Sequence, residues 1–307
     1  MNTYGLKNNL LTIHITDQGA ELISIRDIAE NEYMWQADER YWKRHSPILF
    51  PIVGSLKDGC YTYEGESYKM SQHGFARDSE FKLINQTDDT IWFELRSNEQ
   101  SKQSYPFEFC LQVGYQLMEN EIKVMWKVNN EDDKPMYYSI GAHPAFNCPL
   151  FAGDEQSQYS FKIKKDTSVL SNLKINKITQ NGLKKEVPET ILLNEGLLRI
   201  SEHLFDEDAL IVEGQQANEV SLVNAKQVPY LTVVFDAPLF GLWSPAGKKA
   251  PFVCIEPWFG RCDSEEFEGN LNDREYSETL HPGESKVYSY CIIIDKAAKI
   301  CYNKSNN

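Results

Sequence analysis

The amino-acid sequence predicts an all-β fold, a large antiparallel β-sandwich with few short helices, and three observations support this prediction. Apolar and polar residues alternate with a period of two over many short segments. Sustained helical periodicity is nearly absent, and short links containing Gly, Pro, Asn or Asp separate the segments. Many short antiparallel strands with few helices are typical of sandwiches and barrels.

The clearest strands form a predicted hairpin. Apolar residues occupy alternate positions over residues 107–117, a polar turn follows at 119–121, and the alternation resumes over 122–128. Such alternation indicates an antiparallel pair with one face on the core and one in water. Further strands are predicted at 11–15, 22–25, 91–95, 209–212, 231–235 and 287–294, and residues 201–208 could form one or two helical turns.

Length and charge restrict the classes of function. The chain has 307 residues, of which 41 % are apolar, and a formal net charge of −14. Without a linker-like shift in composition or an internal repeat, we predict one domain over residues 1–307. The negative charge disfavours nucleic acid and anionic membranes as partners, and it is compatible with a neutral small molecule.

The compartment is predicted from cysteine usage and from the lack of targeting segments. The seven cysteines are odd in number and include no CxxC pair, which favours reduced thiols over disulfides or a zinc site. No signal peptide and no apolar run of about 18 residues are recognisable in the sequence. We therefore expect a cytoplasmic protein.

Residues 253–260 carry the strongest chemical signal. Apolar residues lead into Glu256, and Pro257, Trp258 and Phe259 follow. Because proline favours an extended conformation in the residue before it, we expect Glu256 at a strand end. Aromatic neighbours would desolvate the carboxylate and raise its pKa, which suits a general base near neutral pH. The ring of Trp258 is also a candidate platform for the apolar face of a small substrate. A glutamate with an ion-pair partner is the alternative interpretation.

Two histidines lie in unusual surroundings. His73 and His143 each follow a strand-like segment and precede Gly or Pro, which leaves the side chain at the mouth of a loop. Histidine titrates near physiological pH, so either residue could transfer a proton, although each could also be structural. Arg77, four residues after His73, could hold hydroxyls or a carboxylate, or form a surface salt bridge.

Three further charged residues are candidates for substrate binding. Lys43 and Arg44 precede an apolar run with two prolines, and either could reach a site. Asp208 begins a predicted strand and could bind substrate or cap the strand. Two histidines with a carboxylate could also form a metal triad, but no closely spaced histidine pair supports one, and we predict no metal.

Four motifs then occur in a specific order: His-Gly-Phe-Ala-Arg at 73–77, Gly-Ala-His-Pro-Ala-Phe at 141–146, Asp-Ala-Leu-Ile at 208–211 and Glu-Pro-Trp at 256–258. The ordered set resembles the aldose 1-epimerase, or galactose mutarotase-like, family, and is closest to its bacterial branch found with lactose and galactose operons. The resemblance covers most of the chain. It implies the large β-sandwich of that family, the galactose mutarotase-like supersandwich.

The resemblance also implies roles for individual residues. Glu256 matches the general base, His143 the general acid, and His73 the histidine that positions the sugar and helps to polarise its ring oxygen. Asp208 matches an acid that binds substrate. The family's substrate-binding arginine falls near residues 43–44, where the surrounding motif differs. Close approach of Glu256 and His143 would raise the pKa of the imidazole and lower that of the carboxyl group.

The implied reaction is the interconversion of the α and β anomers of a hexose. A base removes the proton of the C1 hydroxyl while an acid protonates the ring oxygen, and this chemistry needs no cofactor. A hexose-6-phosphate 1-epimerase and a non-catalytic sugar-binding protein are the alternatives. The expected partner is a small sugar, and the chain is expected to be a monomer or a homodimer.

Overall fold

Antiparallel strands dominate the computed structural model, which describes residues 1–151 and 153–295. In chain order the strands are β1 Thr3–Lys7, β2 Leu11–Thr16, β3 Leu22–Asp27, β4 Ile48–Leu49, β5 Cys60–Tyr63, β6 Glu66–Lys69, β7 Lys82–Gln86, β8 Thr90–Arg96, β9 Phe109–Met118, β10 Glu121–Asn130, β11 Met136–Tyr138, β12 Ile140–Ala142, β13 Ala145–Asn147, β14 Ser160–Lys165, β15 Ser168–Val169, β16 Asn172–Ile175, β17 Glu189–Leu192, β18 Leu197–Arg199, β19 Leu210–Val212, β20 Glu219–Val223, β21 Pro229–Phe235, β22 Leu239–Trp243, β23 Phe252–Phe259, β24 Glu278–Leu280 and β25 Ser285–Ile294. Helical structure among the described residues is limited to α1, Glu99–Lys102, and four 3₁₀ turns, Lys57–Gly59, Ala76–Asp78, Gln156–Gln158 and Leu271–Asp273. The predicted all-β class with few short helices is confirmed.

Two large sheets pack face to face. The first has ten strands in the order β15-β14-β20-β21-β25-β10-β9-β8-β7, with β18 beside β14, and the second has six in the order β19-β22-β23-β12-β4, with β13 beside β23. Aromatic side chains join the sheets: the rings of Phe259 and Tyr288 have centroids 4.5 Å apart, and those of Phe235 and Phe240 are 5.2 Å apart. The core lies between the sheets, which confirms the predicted sandwich.

The predicted hairpin is the pair β9 and β10, in which Met118 faces Glu121 across the turn. Strand β10 alternates between buried and partly exposed residues along its whole length, as its sequence predicts. The six other predicted strands overlap β2, β3, β8, β19, β21 and β25. Local alternation therefore located these strands correctly.

The helical turns predicted at residues 201–208 are wrong, because this segment forms a series of turns. The N–H of Leu204 bonds to the carbonyl of Ser201 at 3.2 Å, and that of Asp208 bonds to the carbonyl of Phe205 at 3.0 Å. Asp208 then takes a φ of 67°, in the left-handed region, which ends any continuation as a right-handed helix.

Alternate residues of strand β23 point to the two faces of the six-stranded sheet. Val253 and Ile255 belong to the core between the sheets, while the alternate residues Cys254 and Trp258 pack in smaller clusters on the other face. Glu256 shares that second face because side chains two apart on a strand point the same way. The functional candidates of this strand therefore face away from the ten-stranded sheet.

The expectation that Glu256 ends its strand is wrong, because β23 continues through Pro257 to Phe259. Strand β12 pairs with residues 258–259 of β23 and β13 pairs with residues 252–254, so on this side of β23 residues 255–257, including Pro257, have no strand partner. A proline is tolerated in a strand where its missing N–H has no ladder partner. The gap between the two short strands provides that position.

Three remaining predictions concern the whole chain. Six cysteines in the described part of the chain are free thiols, as predicted, and Cys301 lies outside the described residues. Within residues 1–151 and 153–295, no helix has the length and apolar character needed to cross a membrane. The single domain over residues 1–307 stays a prediction, and its last twelve residues, 296–307, lie outside the described ranges.

Candidate active site

A cavity of about 180 Å³ lies on the face of the six-stranded sheet that points away from the core. It is lined by Trp42, Val53, Gly54, Gln72, His73, Arg77, His143, Ile178, Gly182, Asp208, Ala209, Trp243, Glu256, Trp258 and Cys262. Six of the eight candidates from the sequence are among them. A larger cleft of about 390 Å³, between residues 149 and 251, contains none of the candidates.

Strand register brings the two proton-transfer candidates together. Gly141 of β12 faces Trp258, and Ala145 of β13 faces Cys254, so His143, between the two short strands, lies opposite Glu256. The Nε2 atom of His143 is 3.3 Å from Oε2 of Glu256. The break between β12 and β13 therefore frees the histidine from the ladder and directs it at the carboxyl group.

Glu256 is almost completely removed from water. Its exposed fraction is 1 %, and neither carboxylate oxygen has a hydrogen-bond partner. Burial raises the pKa of Glu256 well above its ordinary value, and the negative charge of Asp208 raises it further. The carboxyl group therefore holds a proton more tightly than an ordinary glutamate.

His143 is held between two tryptophans. Its ring stacks on that of Trp42, with centroids 4.8 Å apart, and meets the edge of Trp243 at 5.3 Å. Burial lowers the pKa of His143 to about 3, and the positive charges of Arg77 and Arg44 contribute to the shift. The expectation that Glu256 raises this pKa is therefore wrong, because the desolvation of both partners outweighs their mutual attraction.

A backbone contact fixes the position of the proton on the neutral ring of His73. The N–H of Gly54 donates to Nδ1 of His73 at 3.0 Å, so the proton of the neutral ring lies on Nε2. Burial lowers the pKa of His73 well below its ordinary value, with the neighbouring His143 as the next cause, since both rings would not carry a positive charge together. The two imidazole rings are perpendicular, with centroids 5.6 Å apart.

A strained turn holds His73 in this position. Both His73 and Gly74 have positive φ, at 66° and 70°. A Cβ on residue 74 would lie 2.2 Å from the carbonyl oxygen of Phe50, so only glycine fits there. Backbone strain of this kind is commonly found at functional sites, where the surrounding structure enforces it.

Among the three candidate cations, the structure brings Arg77 to the cavity. Its Nη2 donates to the carbonyl of Gln72 at 2.6 Å, while its buried Nε makes no hydrogen bond and lies 3.7 Å from Oδ2 of Asp78. Burial lowers the pKa of Arg77 to about 10, and the nearby charge of Arg44 adds to this effect. Arg44 itself lies beside the cavity and donates to Asp78 at 2.7 Å, whereas Lys43 is exposed and does not line the cavity.

Asp208 and Trp258 complete the predicted set. Asp208 is exposed at the cavity, and its Oδ1 accepts from the N–H of Ala209 at 2.7 Å. The indole N–H of Trp258 donates to the carbonyl of Ala142 at 3.1 Å. A Cβ on Gly141 would lie 2.6 Å from the Trp258 ring, so the missing side chain at residue 141 makes room for this wall of the cavity.

Sequence reasoning missed several side chains that line the cavity, and those that can contact a sugar through a ring or an amide are Trp42, Gln72 and Trp243. Trp42 directly precedes Lys43 and was passed over in a segment considered for its cations. Trp243 faces Cys254 across the pair β22 and β23, a relation visible only once the strands are paired. The position of Trp42 next to the candidate residue Lys43 was the signal in the sequence that could have identified it.

The groups that could hold a metal ion differ from the two histidines and carboxylate considered as an alternative from the sequence. Among the described residues, His143, Cys254 and Glu256 each offer a ligand atom, and these atoms lie within 4.8 Å of one another. Nδ1 of His73 already accepts a hydrogen bond from Gly54. The cluster therefore contains Cys254 in place of the second histidine of the alternative considered from the sequence, while the absence of a metal stays a prediction.

Comparisons of the sequence with known families and proteins identify the family of this chain. Residues 2–290 match the family described as aldose 1-epimerase. The chain is 35 % identical to the chromosomal protein LacX of Lactococcus lactis subsp. lactis over 95 % of this chain and 99 % of that protein. The LacX relative confirms the predicted family and branch.

Two solved structures share the fold over nearly the whole chain. A galactose mutarotase related enzyme from Lactobacillus acidophilus has a TM-score of 0.89 and 34 % identity, covering 96 % of this chain and 98 % of that one. A galactose mutarotase-like protein from Lactobacillus casei ATCC 334 has a TM-score of 0.87 and 28 % identity, covering 96 % and 100 %. The chain therefore belongs to the aldose 1-epimerase family and is an enzyme of the isomerase class.

Proposed function

We propose that the protein is an aldose 1-epimerase that interconverts the anomers of a free hexose by ring opening. The observation that carries this proposal is the pairing of His143 with Glu256, 3.3 Å apart in a cavity that excludes water from both groups. Ring opening needs one proton donor and one proton acceptor at neighbouring oxygens of the sugar. A coupled acid and base that share one proton meet this need.

The proton balance follows from the two opposed pKa shifts. Burial raises the pKa of Glu256 and lowers that of His143, so the shared proton rests on Glu256 before the sugar binds. Hydrogen bonds from sugar hydroxyls would stabilise the carboxylate and return the proton to His143. The pair then presents Glu256 as base and His143 as acid, and the roles reverse when the ring closes.

The steps are assigned as follows. Glu256 accepts the proton of the C1 hydroxyl while His143 donates one to the ring oxygen, and the C1–O5 bond breaks to give an open-chain aldehyde. Rotation about C1–C2 presents the other face, and O5 attacks C1 as both protons return. The Nε2–H of His73 donates to the ring oxygen, and each general catalyst contributes about 10²–10⁴-fold.

The remaining wall residues bind and orient the sugar. Arg77 and the carboxylate of Asp208 offer a donor and an acceptor for hydroxyl groups at the cavity. Trp42 and Trp258 provide apolar surfaces for the faces of the ring that carry only C–H bonds. We propose these four residues as the binding set.

The placement of the cations supports a free hexose over a hexose 6-phosphate. A phosphate site needs several converging charged donors. Of the three candidate cations, Arg77 lines the cavity, Arg44 is paired with Asp78, and Lys43 is exposed elsewhere. The buried carboxyl group of Glu256, whose oxygens have no hydrogen-bond partner, also favours turnover over binding alone, because burying such a group is costly and a protein that only binds a sugar does not need it.

Polarimetry tests the proposal. Freshly dissolved α-glucose and α-galactose should equilibrate faster with enzyme than in buffer, and the corresponding 6-phosphates should not. Acceleration confined to the 6-phosphates would replace the free sugar with the phosphorylated one. If no sugar equilibrates faster than in buffer, the proposed activity is wrong.

We propose the cytoplasm as the compartment and a small sugar as the partner. The six free cysteines of the described residues support a reducing environment. The net charge of −14 supports a neutral ligand over nucleic acid or an anionic membrane. The predicted monomer or homodimer is testable by light scattering.

A further inference from the structure

Cys254 lies beside the proposed acid and base, although the reaction has no use for a thiol. Strand β23 places Cys254 and Glu256 two residues apart on one face, and His143 lies opposite Glu256. One ligand atom of each residue lies within 4.8 Å of the others, and the exposed fractions are 8 % for His143, 0 % for Cys254 and 1 % for Glu256. Three buried groups of different chemistry therefore converge on one point.

The three groups are the types that bind zinc. Imidazole nitrogen, thiolate and carboxylate all coordinate Zn²⁺, at about 2.0–2.3 Å, so two ligands on one tetrahedral ion lie about 3.3–3.6 Å apart. The separation of 3.3 Å between Nε2 of His143 and Oε2 of Glu256 falls in this range, while the full cluster lies within 4.8 Å, so Cys254 would move closer to the other two ligands when an ion binds. Both carboxylate oxygens of Glu256 are buried without a hydrogen-bond partner, so a cation bound between Glu256 and Nε2 of His143 would satisfy a carboxyl group that the fold leaves without hydrogen bonds.

We propose that His143, Cys254 and Glu256 form an inhibitory site for Zn²⁺ and similar borderline-soft divalent ions. The ion occupies the imidazole and the carboxylate that ring opening needs, so metal and sugar exclude each other. The fourth position of the ion is open to water from the cavity. The binding site stands on its own geometry, while its inhibitory effect rests on the proposed epimerase activity.

Calorimetry and spectroscopy test binding without any assay of activity. The purified chain is treated with EDTA, desalted and titrated with Zn²⁺, and a second sample is titrated with Co²⁺. We expect one tight site per chain and, with Co²⁺, a thiolate-to-metal charge-transfer band. In Cys254→Ala the band should disappear and affinity for Zn²⁺ should fall by about 100-fold or more, because removing even an outer-shell partner of a ligand costs about 10–100-fold and Cys254 is a direct ligand.

Cys262→Ala is the matched control, because Cys262 is also buried and lines the same cavity but is not in the ligand cluster. It should retain the band and the affinity for Zn²⁺. Cys254 packs against Trp35 and Ala145. If the alanine variant fails to fold, Cys254→Ser keeps the volume and replaces the thiolate with a poor zinc ligand.

Polarimetry then tests inhibition. Zn²⁺ should act as a competitive inhibitor of the wild-type enzyme, while Cys254→Ala should turn over at the wild-type rate and need about 100-fold more Zn²⁺ for the same inhibition. Binding that is equal in wild type and Cys254→Ala, or lost in Cys262→Ala alone, would overturn the site. If no sugar is turned over but the cobalt band behaves as expected, the proposed activity fails and the metal site stands.

Discussion

Replacing Glu256 with Gln should abolish turnover and, at the same time, stabilise the fold as the pH rises. Glu256 is 1 % exposed, its two oxygens have no hydrogen-bond partner, and the neighbouring charge of Asp208 is repulsive. Glutamine has nearly the same shape and is neutral at every pH. The variant therefore removes the proton-accepting group and the cost of ionising it in the cavity.

The magnitude follows from proton linkage. Because the pKa of Glu256 in the folded state is raised above its ordinary value of 4.5, the folded protein keeps a proton that the unfolded chain releases. This contribution to stability is fully present below pH 4.5 and is lost as pH rises toward the folded pKa. The loss is about 1.4 kcal/mol per pH unit for one proton, and Glu256→Gln lacks it. His143 has the opposite shift, so its contribution is lost as pH falls from its ordinary value of 6.5 toward about 3.

Urea unfolding at pH 5, 6, 7 and 8 in the presence of EDTA measures the effect. The free energy of unfolding of the variant should exceed that of wild type by an amount that grows by up to about 1.4 kcal/mol per pH unit. Turnover of the variant should fall by about 10²-fold or more. The exposed Glu39→Gln removes a carboxylate from the surface and should show neither change.

Two results would refute this reasoning. Parallel stability curves for wild type and Glu256→Gln would mean that the carboxyl group is solvated or paired, so burial would not govern its pKa. A wild-type kcat would place the base elsewhere. Asp208, the other carboxylate at the cavity, would then be tested by Asp208→Asn.

Four further outcomes are expected. Arg77→Ala should raise KM by about 10-fold or more, since a hydrogen bond to a charged group contributes about 1.5–3 kcal/mol. Lys43→Ala should leave KM unchanged, and equal KM values for the two variants would contradict the assignment of Arg77 to sugar binding. His143→Asn should lower kcat by about 10²-fold yet leave turnover above buffer, and an unaltered kcat would exclude it as the acid. Dialysis against EDTA should not lower activity, because both proton transfers use side chains, and recovery only with a divalent ion would point to a metal mechanism. Gly141→Ala should lower the free energy of unfolding by about 1–3 kcal/mol, measured in urea, because its Cβ would lie 2.6 Å from the Trp258 ring.

The sequence by itself determined the fold class and the family. Alternation with a period of two is a local property, because each strand buries one face whatever its partner, so β9, β10 and the other strong strands could be located without knowing the sheets. Residue types and their order also pointed to Glu256, His143 and His73, and hence to the family. These inferences need only the residue types and their order along the chain, and they do not depend on how the strands pair.

Pairing decided what the sequence left open. The register of β12 and β13 on β23 placed His143 opposite Glu256, and the gap between those strands let β23 continue through Pro257. Burial of both partners then reversed the pKa shifts expected from simple charge attraction. Desolvation depends on every chain segment that covers a group, and none of these segments is visible in the local sequence.

Tertiary structure also chose among residues that the sequence could not rank. Arg77 reached the cavity while Lys43 remained at the surface, and Trp42 came to stack on His143 from a segment examined for its charges. Cys254 joined the acid and base only because β23 alternates and β13 lies beside it. Which side chains share a cavity depends on contacts between residues far apart in the chain, and these contacts exist only in the folded protein.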